Sequence, residues 1–365
     1  MLERLAIVGT GLIGASVGLA AKGAGVRRVV GFDADPETAA AAAGRGAVDE
    51  VAATVEAALD GAELAVVAVP VAGLASQVAV VLEAAPDGCT VTDVGSTKTS
   101  ACAAAGGSPR FVGGHPVCGS EARGPEHATA DLFDGATWFL TPLPETDPQS
   151  YRLVHSVVSR LGATPVAVSP GAHDRLVALT SHLPHVLANV LVNQAGATRI
   201  DGHEPLAAAG GSLRDMTRVA GANPRIWVDI FLENAEQVRL ALAEYRRRSE
   251  EVEAALAAGD AGWIARWIGE AGGNRRRMLE DAYPDPGELQ QLRVHVPDRP
   301  GVLAGITQAL GAERINIEDF ELQHVSLERG GTLTILISGS GEAERAARLL
   351  ESMGYGVVVA PVLAE

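Results

Sequence analysis

Apolar and polar positions alternate along the first half of the chain at the scale of whole elements. Apolar runs at 5–8 (LAIV), 29–32 (VVGF) and 64–69 (LAVVAV) predict buried strands, and 90–94 (TVTDV) predicts another. Small-residue or alanine-rich stretches at 12–24, at 36–45 and from 71 through Leu82 predict the helices between them. Shorter strands are predicted at 110–112 and 137–140. Strands that alternate with helices form a parallel sheet with right-handed crossovers. Ligands of such sheets sit outside the carboxyl ends of the strands, so the loops 70–71, 95–98 and 113–116 face one edge.

From Val168 the spacing becomes helical, with Ser169 and Pro170 as the start signal. It continues over 227–242, 245–258 and 263–280, broken only by glycine, proline and polar turns. Apolar faces at 183–191 and 226–240 exceed what one helix pair needs, which predicts homodimerisation through this all-helical part. AYPDPG at 282–287 is a proline-marked linker. Beyond it, strands at 289–296, 315–324, 332–338 and 356–361 and helices at 301–310 and 342–353 follow the β-α-β-β-α-β order of a ferredoxin-like module. The expected domains are 1–167, 168–282 and 289–365.

The turn between the first strand and helix carries the sharpest chemical signal. Gly9, Gly11 and Gly14 form G-x-G-x-x-G, and Asp33 closes the next strand 22 residues after Gly11. Gly9 allows the tight turn, Gly11 admits a pyrophosphate to the backbone, and Gly14 lets helix and strand pack closely. The N–H groups that start the helix, at Leu12 and Ile13, would hold the phosphate charge. Asp33 is placed to accept hydrogen bonds from an adenosine ribose and would repel a 2′-phosphate. The order predicts a Rossmann-type site for a nicotinamide or flavin dinucleotide, NAD ahead of NADP, with Val69 and Pro70 on the neighbouring loop. The competing reading is a glycine-rich turn without a ligand.

Charge narrows the partners. The formal net charge is −16 and Lys22 and Lys98 are the only lysines, a surface that repels nucleic acid and anionic lipid. An anionic substrate would therefore need specific arginines. Apolar runs end well before 18 residues, so no membrane span is expected, and the chain enters its first strand with no room for a signal peptide. Cys89, Cys102 and Cys118 are odd in number and lack metal-ligand spacing, which fits reduced thiols in a cytoplasmic protein.

His115, between Gly114 and Pro116 on a loop at the mouth of the sheet, is a candidate proton acceptor; the alternative is a structural histidine in a turn. Ser96 on the adjacent loop is placed to hydrogen-bond His115 and a substrate oxygen, or simply to cap its turn. In the helical part, Arg214 and Arg218 lie four apart on one helical face, with Arg225, Asp215 and Trp227 nearby. An arginine fork clasps a carboxylate with two bonds, although surface pairing with Glu204, Asp215 or Asp229 would also explain the cluster. His182 and His185 have no third ligand at metal spacing, so no metal is expected, and Arg246–Arg248 reads as a solvated face.

GTGLIGAS (9–16), AVPV (68–71), TDVGSTK (92–98), GGHPVCGSE (113–121), HDRLVALTSHLPH (173–185) and DMTRVAGANPRIW (215–227) together resemble the prephenate dehydrogenase family of tyrosine biosynthesis, which includes arogenate dehydrogenases. VPDRPGVLAGITQAL (296–310) and RINIEDF (314–320) resemble an ACT domain, a module that commonly binds amino acids. The resemblance implies that His115 is the base at the ring hydroxyl, that Ser96 orients it, and that Arg218 binds a substrate carboxylate. It places His185, Asp215, Trp227 and Glu121 around the same pocket. The implied reaction is NAD-dependent oxidative decarboxylation of prephenate, with arogenate as the alternative substrate. Asp298, Gly301, Leu303 and Asn316 fall where ACT domains form an amino-acid pocket, with tyrosine as the first effector to test. β-Hydroxyacid dehydrogenases share the architecture, but that resemblance would require a lysine in the helical part, and none follows Lys98. A non-catalytic sensor of NAD and amino acids is the reading from a different class.

Overall fold

Eight short strands form the first sheet of the computed structural model, which describes residues 2–118, 122–280, 288–326 and 330–362. They are β1 (Arg4–Val8), β2 (Arg28–Phe32), β3 (Glu50–Val51), β4 (Leu64–Val67), β5 (Thr90–Asp93), β6 (Phe111–Pro116), β7 (Thr137–Pro142) and β8 (Thr164–Ala167), in the order β3-β2-β1-β4-β5-β6-β7-β8. Leu5, Ile7, Ala6 and Val8 on β1 are all buried, because helices cover both faces of the sheet and leave no polar side. The crevice opens where the order reverses between β1 and β4.

Three features depart from the pattern read in the sequence. β7 runs antiparallel to β6, whereas a wholly parallel sheet was expected. That pairing extends from Val112–Pro142 to Pro116–Trp138, so His115 lies within a strand and not on a loop. β3 and β8 were not anticipated: one is two residues long, the other carries Pro165, and neither has the apolar run of an interior strand.

Helix starts follow a repeated local rule. Asp35-Pro36, Asp147-Pro148, Ser169-Pro170 and Asn223-Pro224 each pair a side chain that accepts a first-turn N–H with a proline that has none to satisfy. Helix Pro170–Val177 continues through a π turn, Ala178–His182, into helix Leu183–Ala197. Pro184 explains the π turn: it has no N–H for the preceding turn and its ring crowds that carbonyl, so the spiral widens. Helices Gly211–Thr217, Pro224–Glu233 and Ala235–Ala258 follow. The expected continuous helix over 227–242 is interrupted at Asn234, whose side chain is drawn away to hydrogen-bond the Asp174 carbonyl.

The run Pro170–Ala197 is long and apolar enough to cross a membrane by length and composition alone, as core helices also are, and it is the one such helix among the described residues. It nevertheless carries buried His173, Asp174 and His182, each hydrogen-bonded inside the protein.

The chain divides into two units, Met1–Arg247 and Arg248–Glu365. The second contains helix Ala261–Glu280 and an antiparallel sheet of β9 (Leu289–Val296), β10 (Asp319–Ser326), β11 (Gly330–Ser338) and β12 (Gly356–Pro361), ordered β10-β11-β9-β12. Helices Val302–Ala312 and Ser340–Ser352 bury Ile306, Leu310, Ala346 and Leu350 against it. This is the ferredoxin-like arrangement of an ACT domain. The predicted linker at 282–287 lies outside the described residues.

Candidate active site

The dinucleotide loop is built to leave room. Gly9 has φ +96°, and a Cβ there would stand 2.4 Å from the Ala68 carbonyl, so no other residue fits. A Cβ on Gly14 would strike the Gly9 carbonyl, while one on Gly11 would meet nothing within 4 Å. The space over Gly11 and the start of helix Leu12–Gly23, which has no side-chain cap, together form an open anion cradle. Leu12 and Ile13 form the first turn of that helix. Asp33 accepts the Thr10 N–H at 2.7 Å and the Asp35 N–H at 3.0 Å, which holds its half-buried carboxylate at the end of β2. Val69 and Pro70 follow β4 on the same edge. On the loop after β5, the buried Thr97 hydroxyl has no partner among the described residues. These features fit NAD.

His115 reaches that edge from β6. A fully buried ion pair grips the peptide before it: Lys98 Nζ donates to Asp93 and, at 2.7 Å, to the Gly114 carbonyl, while the Gly114 N–H donates to Asp93 Oδ1 at 3.1 Å. A Cβ on Gly114 would sit 2.6 Å from the Asp93 carbonyl, which is why glycine precedes the histidine. His115 Nδ1 lies 2.8 Å from His173 Nε2, and His173 Nδ1 lies 2.8 Å from Asp174 Oδ1. The Asp174 carboxylate also accepts the backbone N–H groups of Lys98 (2.8 Å) and Thr99 (2.9 Å). Burial alone would raise the Asp174 pKa, but the hydrogen bonds from His173, Thr99 and Lys98 outweigh it and bring it to about 2. Burial first, then the neighbouring His173 imidazole and Lys98 ammonium, hold His115 well below the ordinary histidine range, so it is neutral at physiological pH.

A second cluster adjoins the first through Asn234, whose Nδ2 donates to the Asp174 carbonyl (2.8 Å) and lies 3.2 Å from His182 Nδ1. Burial pushes His182 down to about 4, offset only in part by Asp174. Trp227 stacks on His185 with ring centroids 3.5 Å apart and meets His182 edge-on at 6.0 Å. His185 donates from Nδ1 to the Ser181 carbonyl at 3.0 Å.

Of the residues named from sequence, the fold thus connects His115, through His173, Asp174, Asn234 and His182, to Trp227 and His185. No hydrogen bond joins Ser96 to His115 among the described residues; His173 occupies that role. Ser96 is half-buried on the loop after β5. Arg218 caps the C-terminus of helix Gly211–Thr217; it is exposed and its guanidinium has no partner among the described residues. Asp215, on the same helix, is exposed. Glu121 lies outside the described residues. In the second unit, Asp298, Gly301 and Leu303 line a cavity of about 380 Å3, while Asn316 bonds Glu318 and is not in its wall. Sequence reading assigned nothing to His173, Asp174, Asp93, Lys98 or Asn234. The first four stand in TDVGSTK and HDR, but a buried charge is recognisable only once its partner is in place.

The N-terminal part matches the family model "prephenate dehydrogenase, nucleotide-binding domain" over residues 17–167, and 169–270 matches "prephenate dehydrogenase, dimerization domain". Residues 290–353 match the ACT domain. The prephenate dehydrogenase of Bacillus subtilis is 32% identical over 361 residues, 96% of each chain. The chain belongs to the prephenate dehydrogenase family. Among solved structures, the Aquifex aeolicus prephenate dehydrogenase in complex with hydroxyphenyl propionate and NAD+ is similar with a TM-score of 0.71 and 28% identity, covering 76% of this chain and 99% of that one. The Synechocystis arogenate dehydrogenase has a TM-score of 0.69 and 27% identity, with coverage of 75% and 99%. These family members fit both the dinucleotide edge and the helical segment beside it.

Burial pushes the thiols of Cys89, Cys102 and Cys118 up to about 11, so all three stay protonated and none is a nucleophile at neutral pH.

Proposed function

We propose that the chain catalyses the NAD-dependent oxidative decarboxylation of prephenate to 4-hydroxyphenylpyruvate. The observation that carries the reading is a neutral imidazole, His115, held at the sheet edge beside the dinucleotide loops, in a chain 32% identical end to end to a prephenate dehydrogenase. NAD+, when bound, supplies the acceptor for the hydride that leaves the ring carbon bearing the hydroxyl. His115 accepts the hydroxyl proton as the hydride departs. Loss of the ring carboxylate as carbon dioxide then makes the ring aromatic, and His115 returns its proton to the ring oxygen, so no proton is gained or lost overall. Arg218, an exposed cation in an acidic chain, binds a substrate carboxylate. Trp227 and His185 form an aromatic wall, and Asp215 and Ser96 are assigned to the same pocket. The protein's main work is alignment of donor, acceptor and base.

Arogenate replaces a side-chain keto group with an ammonium, and the arogenate dehydrogenase neighbour supports it as the second substrate. Initial rates of NADH formation with prephenate and arogenate, measured side by side, decide between them; prephenate is expected to be faster. No NADH from either, despite NAD binding, would leave the sensor reading.

The ACT cavity beside Asp298, Gly301 and Leu303 is the proposed site of an amino-acid effector, tyrosine first. Full-length enzyme is expected to change rate with tyrosine; a rate indifferent to tyrosine, phenylalanine and tryptophan would make the module structural.

A further inference from the structure

We propose that His173 is a positioning residue that selects the tautomer of His115, so that the nitrogen left for the substrate carries a lone pair and not a proton. The inference deepens the reading of His115 as the base and rests on it.

Backbone N–H groups can only donate, and those of Lys98 and Thr99 point at the two oxygens of Asp174. Asp174 is therefore an acceptor toward His173, and the 2.8 Å contact requires a proton on His173 Nδ1. A neutral His173 then has its lone pair on Nε2. That lone pair faces His115 Nδ1 at 2.8 Å, so His115 must supply the proton from Nδ1. His115 Nε2 is left bare, which is the form a general base needs.

The opposite setting is equally well defined. If His173 carried a second proton, its Nε2–H would donate to His115 Nδ1. A neutral His115 would then hold its proton on Nε2 and could not accept one from a hydroxyl. His173 is fully buried, with Phe139 edge-on to its ring at 5.3 Å. The buried Lys98 ammonium stands over the Gly114 peptide, and His182 lies beyond Asn234. Asp174 already serves two backbone donors. The chain His115–His173–Asp174 thus orients a base in the way a buried carboxylate orients the histidine of a serine protease, with a second imidazole inserted between them. Asp174 and His173 are adjacent in sequence, so one helical turn supplies both links and Ser169 caps its start.

Two measurements test this on the full-length protein. Two-bond 1H–15N NMR of the wild-type chain at pH 8 is expected to show both His115 and His173 protonated on Nδ1 only. A proton on His115 Nε2, or a doubly protonated His173, would overturn the proposal, and this readout needs no turnover. Failure of the assigned reaction is therefore distinguishable from failure of the tautomer assignment. The second measurement compares His173→Leu, which cannot accept a proton, with His173→Gln, whose amide oxygen can reach the same place. His173→Leu is expected to lower kcat by about 10²–10³ with substrate KM within about twofold, and His173→Gln to recover at least about tenfold of that loss. Wild-type kcat in His173→Leu, or equal losses in the two variants, would also overturn it.

Discussion

In the proposed reaction, His115 owes its competence as a base to its neighbours. Its depressed proton affinity means that the neutral form survives as pH falls below the ordinary 6.5 of histidine. The acid limb of kcat/KM is accordingly expected below that value; a limb at neutral pH or above would mean that another group is the base. His115→Asn is expected to lower turnover by about 10²–10⁴ while NAD affinity, measured by fluorescence titration, stays at the wild-type value. Arg218 is a different case. It is exposed and its guanidinium makes no hydrogen bond or ion pair among the described residues, so the expected effect of Arg218→Ala is a higher substrate KM with little change in kcat. A wild-type KM would place the carboxylate elsewhere. His115 stands out in the sequence between glycine and proline at the mouth of the sheet, and Arg218 as one of three spaced arginines that the family resemblance singles out. His173 does not, because nothing in its local sequence announces a second imidazole 58 residues away.

At the level of elements, β5 and the loop after it hold β6 by charge. Lys98→Met would leave the Asp93 carboxylate fully buried without its cation, a change expected to cost about 3–5 kcal/mol. The double variant Asp93→Asn, Lys98→Met should recover part of this in denaturant titrations, since no charge is then stranded. The helix run Pro170–Ala197 is acid-sensitive for a related reason. His182 has a folded pKa of about 4 against an ordinary 6.5, so it is neutral in the fold while an unfolded chain would take up a proton. The stability it contributes is present above 6.5 and is lost as pH falls toward 4, by up to roughly 3 kcal/mol. Asp174, held at about 2, contributes stability that is present above its ordinary 3.8 and is lost on further acidification. Thermal melts between neutral pH and pH 4 should therefore flatten in His182→Gln relative to wild type; parallel curves would exclude His182 as the cause.

For the molecule as a whole, the helical segment leaves apolar surface uncovered. Leu232 is 71% exposed, and Ile226 and Val228 on the same helix and Val190 on helix Leu183–Ala197 are also exposed. Such surface fits the dimerization-domain match and supports a homodimer. Leu232→Glu is expected to shift sedimentation from dimer toward monomer; an unchanged profile would place the interface on another face. Against a net charge of −16, Arg214, Arg218 and Arg225 are exposed cations on the helical segment.

The order of strands and helices, the dinucleotide loop, the ferredoxin-like module and the histidine at the sheet edge are legible in the chain because each is a local matter. Hydrophobic period, glycine at a tight turn and a proline after a capping side chain act over a few residues. The antiparallel turn of β7, the strand that carries His115, the break at Asn234 and the His115–His173–Asp174 chain are not local. Each arises where segments dozens of residues apart meet, and buried polar groups must find partners there or pay the cost of desolvation. Residue order marks the histidine; the packing of β6 against the Pro170–Ala197 helix run sets which of its two nitrogens meets His173.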